Sequence, residues 1–160
     1  YGFQLAVIEF ARNVCGLKDA NSTEINPDSP YPVIDLMPEQ RGIEIKGATM
    51  RLGAHKIVLQ KGTLAYSMFG QEEIHERHRH RFEVNLDYIQ ALKNNGLCFT
   101  GKSADGKRME TLELPDKYFY FASQFHGEFK SRPGRPSPEY AGFIQACVNK
   151  KLGKPKTPIC

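Results

Sequence analysis

Apolar residues recur at Phe3, Val7, Phe10 and Val14, three or four positions apart, with Leu5, Ala6, Ile8 and Ala11 beside them. That period matches an α-helix, so the pattern predicts a helix over 3–14. Its apolar face is broad enough to suggest burial between layers. Gly16 supplies the stop. Residues 17–39 are rich in Asn, Ser, Asp and Pro and read as loop. Residues 48–52 and 56–60 read as two strands, and 61–70 as a short irregular or helical connection. Residues 76–84 alternate as an extended segment does. Asn85 caps a helix running to about Asn94, which Gly96 ends. Residues 97–102 and 109–114 read as strands, with Asp105-Gly106 as the hairpin signal between them. Residues 118–125 form a near-continuous apolar run, which fits a strand buried on both faces. Ser137-Pro138 starts the last helix as cap and first-turn proline. Its expected inner face is Tyr140, Phe143, Ile144, Cys147 and Val148. Helices alternating with strands, interrupted by one hairpin, predict a three-layer α/β domain.

Bulk composition adds bounds. The chain has 160 residues, 40% of them apolar and 25% charged, enough for one domain with a real core. A net charge of +4 permits an anionic ligand without demanding nucleic acid. No apolar run reaches membrane-spanning length. Cys15, Cys98, Cys147 and Cys160 show no metal or redox spacing. They read as reduced thiols of an intracellular, cytoplasmic protein, either buried or in the tail. The sequence opens without an initiator Met, and no signal peptide is expected. It opens at Tyr1-Gly2-Phe3-Gln4 directly before an apolar run, as a chain cut inside a domain would. Residues 153–160 read as a basic flexible tail behind a domain portion spanning 1–152.

Three segments carry candidate chemistry. His126-Gly127-Glu128 follows the buried-strand candidate, and sites in α/β sheets lie outside the carboxyl ends of strands. In extended chain, residues two apart share a face, so Glu128 could orient the imidazole of His126 and stabilise its cation. The spacing fits an exposed surface pair equally well. In Glu76-Arg77-His78-Arg79-His80-Arg81, the arginines would share one strand face and the histidines the other. Carboxylate binding, phosphate binding, a His-x-His metal site and a solvated charged edge all remain open. Asn21-Ser22-Thr23-Glu24 reads as a cap or turn unless Glu24 meets an ammonium group. No cysteine here has the sharp strand-to-helix setting of a nucleophile.

Taken together, these segments resemble the class I glutamine amidotransferase domain of the CTP synthases, which has a three-layer, flavodoxin-like fold. The matching pieces include residues 2–13, 20–24, 32–34, 49–53, 76–85, 125–132 and 136–138, and cover 1 to about 152. Arg-His-Arg-His-Arg-Phe-Glu-Val-Asn and Asn-Ser-Thr-Glu are the most specific of them. In that family a nucleophilic Cys precedes the residues matched by Tyr1-Gly2-Phe3-Gln4. The resemblance therefore implies a Cys immediately before Tyr1, and an oxyanion donor in the Tyr1 N–H. It implies that Gln4 contacts bound L-glutamine, Glu24 its ammonium and Arg81 its carboxylate. His126 and Glu128 become the other two members of a Cys-His-Glu triad. The family usually has Pro where Gly127 stands.

The activity implied is glutamine hydrolysis supplying ammonia for ATP-dependent amination of UTP to CTP. No cofactor is implied in this domain. ATP, Mg²⁺ and UTP belong to the family's N-terminal synthetase domain, GTP is its activator, and its assembly is a homotetramer. No nucleic acid or membrane partner is expected. Another class I glutaminase, or a catalytically dead binding module, are the competing readings.

Overall fold

A computed structural model describes residues 1–37 and 51–156. The elements run α1 (Gly2–Asn13), β1 (Ala20–Ser22), β2 (Tyr31–Leu36), β3 (Arg51–Leu59), α2 (Leu64–Phe69), β4 (Glu73–His80) and β5 (Phe82–Val84). A 3-10 turn (Leu86–Tyr88), α3 (Ile89–Asn94), β6 (Cys98–Ser103), β7 (Met109–Glu113) and β8 (Phe121–Ser123) follow. A second 3-10 turn (Gly127–Phe129) then leads to α4 (Pro138–Lys151). The class is α/β, as the pattern predicts. A small sheet has the order β1-β2-β5, with β1 parallel to β2 and β5 antiparallel. A second sheet has the order β4-β3-β6-β7-β8 and is antiparallel throughout.

The apolar stripe of α1 does what its period predicts. Phe3, Val7, Ile8, Phe10 and Ala11 are buried, in one core with Val33, Ile34, Val84, Leu92, Leu97, Phe99 and Leu112. A smaller core of Ile57, Leu59, Ala65, Ile74 and Phe125 sits under the larger sheet. That sheet curls. β4 and β7 are separated by two strands, yet His78 Nε2 lies 2.8 Å from Glu110 Oε2. The curl gives the sheet an interior, and it carries the chain after β8 back to β4. There the His126 N–H donates to the Arg77 carbonyl at 2.9 Å, and Lys130 Nζ donates to the His75 carbonyl. The edge of β4 is thereby covered by the segment that carries the candidate site.

Several expectations need correction. Residues 17–36 are not all loop, because β1 and β2 lie within them; the buried Val33-Ile34 pair drives that pairing. Residues 51–59 form one continuous strand, not the ends of two. The expected strand residues 48–50, the end of the expected loop at 38–39, and the tail cysteine Cys160 lie outside the described residues. The segment after Asn85 is split into a 3-10 turn and α3, with Asn85 Oδ1 accepting the Asp87 N–H at 3.1 Å. Within 118–125 only Phe121–Ser123 is strand, and it is half-buried. It pairs with β7 on one side and faces an open cleft on the other.

Helix α4 departs most. Ser137 makes no side-chain cap; its hydroxyl donates to Glu139. The expected inner face is exposed, from 45% at Tyr140 and Val148 to 60% at Ile144. The reason is Gly142. With no side chain there, Met68 of α2 lies where a Cβ would stand. The small and polar side of α4, with Gln145, Ala146 and Asn149, faces α2 and residues 114–120 instead.

Candidate active site

Four segments converge on one cleft of about 1200 Å³. They are the N-terminus of α1 (Tyr1–Gln4), the turn after β1 (Thr23 and Glu24), the break between β4 and β5 (Arg79–Phe82) and residues 120–126. The volume exceeds the roughly 300–1,000 Å³ of ordinary ligand pockets, so these walls shape a cleft without closing it. Its place at the carboxyl end of β1 obeys the rule for α/β sheets. The helix end contributes backbone N–H groups without intrahelical partners and a partial positive charge.

Gln4 is buried, and its Nε2 donates to the Phe82 carbonyl at 3.0 Å. Gln124 Nε2 reaches the same oxygen, also at 3.0 Å. Gln4 Oε1 is buried without a partner. Arg81 stands where the chain leaves one sheet for the other, its guanidinium 5.2 Å from the centre of the Phe82 ring. Its Nε is also buried without a partner. An orphaned buried polar atom costs about 1–3 kcal/mol, so Gln4 and Arg81 each keep one unmet polar atom beneath the cleft wall. Glu24 is exposed at the rim, where it bonds the Tyr1 hydroxyl and raises that phenol above its ordinary range.

His126 lines the cleft, and Glu128 stands beside it. His126 Nδ1 lies 2.7 Å from Glu128 Oε1. The side chains are 36% and 53% exposed. The spacing predicts a meeting through extended chain; instead the backbone enters a 3-10 turn after His126, and that turn brings the carboxylate back. Partial burial pushes Glu128 up, but hydrogen bonds from His126, a backbone N–H and Tyr140 outweigh it and hold the carboxyl below its usual range. Ionised Glu128 fixes Nδ1 as the protonated nitrogen and leaves Nε2 for proton transfer.

The Arg-His-Arg-His-Arg segment is divided. Arg77 and Arg79 lie exposed on β4, an edge strand, with Arg77 over the Phe129 ring at 5.8 Å. His78 and His80 point inward, bonding Glu110 and Glu83. Arg51 bridges the same two carboxylates, and Arg108 adds to Glu83 at 3.6 Å. Among the described residues no group of three His, Cys, Asp or Glu side chains could hold a metal ion. Cys15 and Cys98 are partly buried, which raises both thiols, with Glu113 adding at Cys98. Cys147 is exposed rather than buried, because its face of α4 is. Thr23, Ser123 and Gln124 are cleft residues that sequence reasoning missed. Thr23 sits inside the Asn-Ser-Thr-Glu motif, and Gln124 is a polar residue within an apolar run. No helix among the described residues is long and apolar enough to cross a membrane.

Residues 1–146 match the family model described as glutamine amidotransferase class-I. The CTP synthase of Pyrococcus furiosus is 57% identical over 155 residues, which is 96% of this chain and 29% of that protein. That of Staphylococcus carnosus is 54% identical over 153 residues, 96% of this chain and 28% of that protein. The chain thus spans under a third of the curated relatives it matches. The glutaminase domain of Trypanosoma brucei CTPS, solved with bound acivicin, superposes with a TM-score of 0.86 at 38% identity. That match covers 92% of this chain and 58% of the solved one. The chain belongs to the class I glutamine amidotransferase family, in the branch formed by the glutaminase domains of CTP synthases.

Proposed function

We propose that this chain is the greater part of a glutamine-hydrolysing site, and that the nucleophile is a cysteine directly before Tyr1. The observation that carries the reading is that Gln4, Glu24 and Arg81 line the same cleft as His126, whose Nδ1 is held by Glu128. Glutamine offers each of the three a partner. Its α-carboxylate suits the Arg81 guanidinium, its α-ammonium suits Glu24, and its amide N–H groups suit Gln4.

A cysteine at the N-terminus of α1 would have its thiolate stabilised by the helix end. That thiolate attacks the side-chain amide carbon. The oxygen gains negative charge, and the Tyr1 N–H stabilises it. His126, charged after taking the thiol proton, gives that proton to the departing nitrogen, so ammonia leaves and a γ-glutamyl thioester remains. His126 then takes a proton from water, which attacks the thioester. Glutamate departs and the thiol is restored. Glu128 keeps the imidazole in the tautomer both steps need.

In the whole protein the ammonia serves amination of UTP to CTP in a synthetase domain, with ATP and Mg²⁺ consumed there, GTP as activator, a homotetrameric assembly and a cytoplasmic setting. The similarity to CTP synthases supports this, and acivicin in the trypanosomal domain supports a glutamine-like ligand. The test uses the full-length protein with L-glutamine, ATP, Mg²⁺ and UTP, and follows glutamate and CTP. Equal release of both is expected, with acivicin attaching to the residue before Tyr1. Absence of glutamate release, or a residue other than Cys at that position, sinks the reading.

A further inference from the structure

We propose that Gly127 and Glu139 form a size-matched pair that sets the height of the His126–Glu128 turn, with Glu139 as a positioning residue behind the site. This rests on the glutaminase reading above. Gly127 is buried and does not have a left-handed φ, so its backbone gives no reason for glycine. Space gives the reason. A Cβ on Gly127 would stand 1.6 Å from Glu139 Oε1, 2.7 Å from Glu139 Cδ and 2.9 Å from Ser137 Oγ. Contacts under 3.0 Å force something to move.

Neither neighbour has easy room to move. Glu139 is only 6% exposed and Ser137 only 4%. Glu139 Oε2 accepts the Ser137 hydroxyl at 2.6 Å. Ser137 is itself pinned, with its N–H on Ser131 Oγ and its carbonyl taking the Tyr140 and Ala141 N–H groups of α4. Glu139 Oε1 has no hydrogen-bond partner, so packing against Gly127 locates that end of the side chain. Burial raises the carboxyl, and the Glu76 carboxylate adds to this. On the other side, the His126 N–H is fixed on the Arg77 carbonyl of β4. A residue squeezed between that anchor and Glu139 cannot shift without tilting Glu128 away from Nδ1. Displacements near 1 Å at a reacting group cost up to about a hundredfold in rate.

The test is a cycle in the full-length enzyme, reading glutamine kcat, glutamine KM, ammonia-dependent CTP formation and melting temperature. Gly127→Ala is expected to lower glutamine kcat by about tenfold to a hundredfold, with KM and the ammonia reaction unchanged. In a Glu139→Ala background the same substitution is expected to cost less than about threefold. In a Glu139→Gln background, which keeps the volume, the loss returns in full. An equal loss in all three backgrounds overturns the pairing, as does a harmless Gly127→Ala. Relief by Glu139→Gln as well as by Glu139→Ala overturns the size argument. The melting temperature separates this from the functional reading. If no variant releases glutamate, the glutaminase assignment fails, and the pairing still stands or falls on whether Gly127→Ala lowers the melting temperature less when Glu139 is Ala.

Discussion

Among the His–Glu pairs of the described residues, two bond at nearly the same separation in different parts of the molecule, 2.7 Å for His126–Glu128 and 2.8 Å for His78–Glu110. Their settings are opposite. The first is 36% and 53% exposed at a cleft; the second is fully buried on both sides. The first bonds through Nδ1 and leaves Nε2 for a reactant, whereas the second bonds through Nε2 and leaves Nδ1 buried without a partner. Glu110 also holds Arg51, so its charge is shared inside a network, while Glu128 serves the imidazole and Tyr140. The hydrogen bond is common to both; access and the free nitrogen decide which pair can transfer protons. In the buried pair the same chemistry ties β4 to β3 and β7 and holds the curl that brings His126 back to β4.

The sharpest way to break the comparison is to delete each histidine system in turn. Removal of His126 as Ala is expected to lower glutamine-dependent turnover about a thousandfold or more. Ammonia-dependent CTP formation and the melting temperature should hold, because the side chain is at the surface of the cleft. Equal loss with both nitrogen donors would contradict the role given to His126.

Glu110→Ala should do the reverse. It leaves His78 buried without its carboxylate and Arg51 with only Glu83 at 3.8 Å, and breaking such a buried pair costs about 3–5 kcal/mol of stability. Chemical denaturation measures it. A loss below about 1 kcal/mol, the size of a surface ion pair, would show that the interior of the curled sheet is wet enough to replace the carboxylate.

The contrast between these pairs also marks how far the sequence could be read. Period alone located α1, since Phe3, Val7 and Phe10 pack into a core that has no competing demand. The same period misled at α4, where Gly142 and Met68 decide which side meets α2. Spacing suggested that His126 and Glu128 could meet, but through the wrong backbone, because a 3-10 turn cannot be told from extended chain by two residues. Gln4, Glu24 and Arg81 line one cleft although up to 77 positions separate Gln4 from Arg81, and only resemblance to a family had joined them. The His78–Glu110 pair was not legible at all. It depends on the curl of a sheet in which β4 and β7 are not neighbours.

A smaller effect sharpens the cleft side of the comparison. Arg81→Ala removes the orphaned cationic donor without touching His126 or Glu128. A charge-assisted hydrogen bond contributes about 1.5–3 kcal/mol, so glutamine KM should rise roughly tenfold to a hundredfold with kcat little changed. Steady-state kinetics with glutamine varied decides it. An unchanged KM removes Arg81 from the carboxylate site.

The smallest effect belongs to the buried pair and is read in pH. Burial pulls the His78 pKa below its ordinary 6.5 despite the opposing pull of Glu110, and Arg51 and His80 add to the lowering. Burial pushes Glu110 up, but His78 and Arg51 outweigh it and leave the carboxyl below its ordinary 4.5. Both groups thus bind fewer protons folded than unfolded. Their stabilisation is fully present above the unfolded values and is lost as pH falls, first below about 6.5 for His78 and then below about 4.5 for Glu110. One such group contributes at most about 1.4 kcal/mol per pH unit. The unfolding free energy should therefore decline from pH 7.5 to 5.5, and His78→Gln, which cannot titrate, should flatten that decline. If both proteins lose stability with the same slope, His78 titrates alike folded and unfolded; if the wild type instead gains on His78→Gln as pH falls from 7.5, His78 is protonated when folded and the buried pair is an ion pair instead of a neutral imidazole donating to a carboxylate.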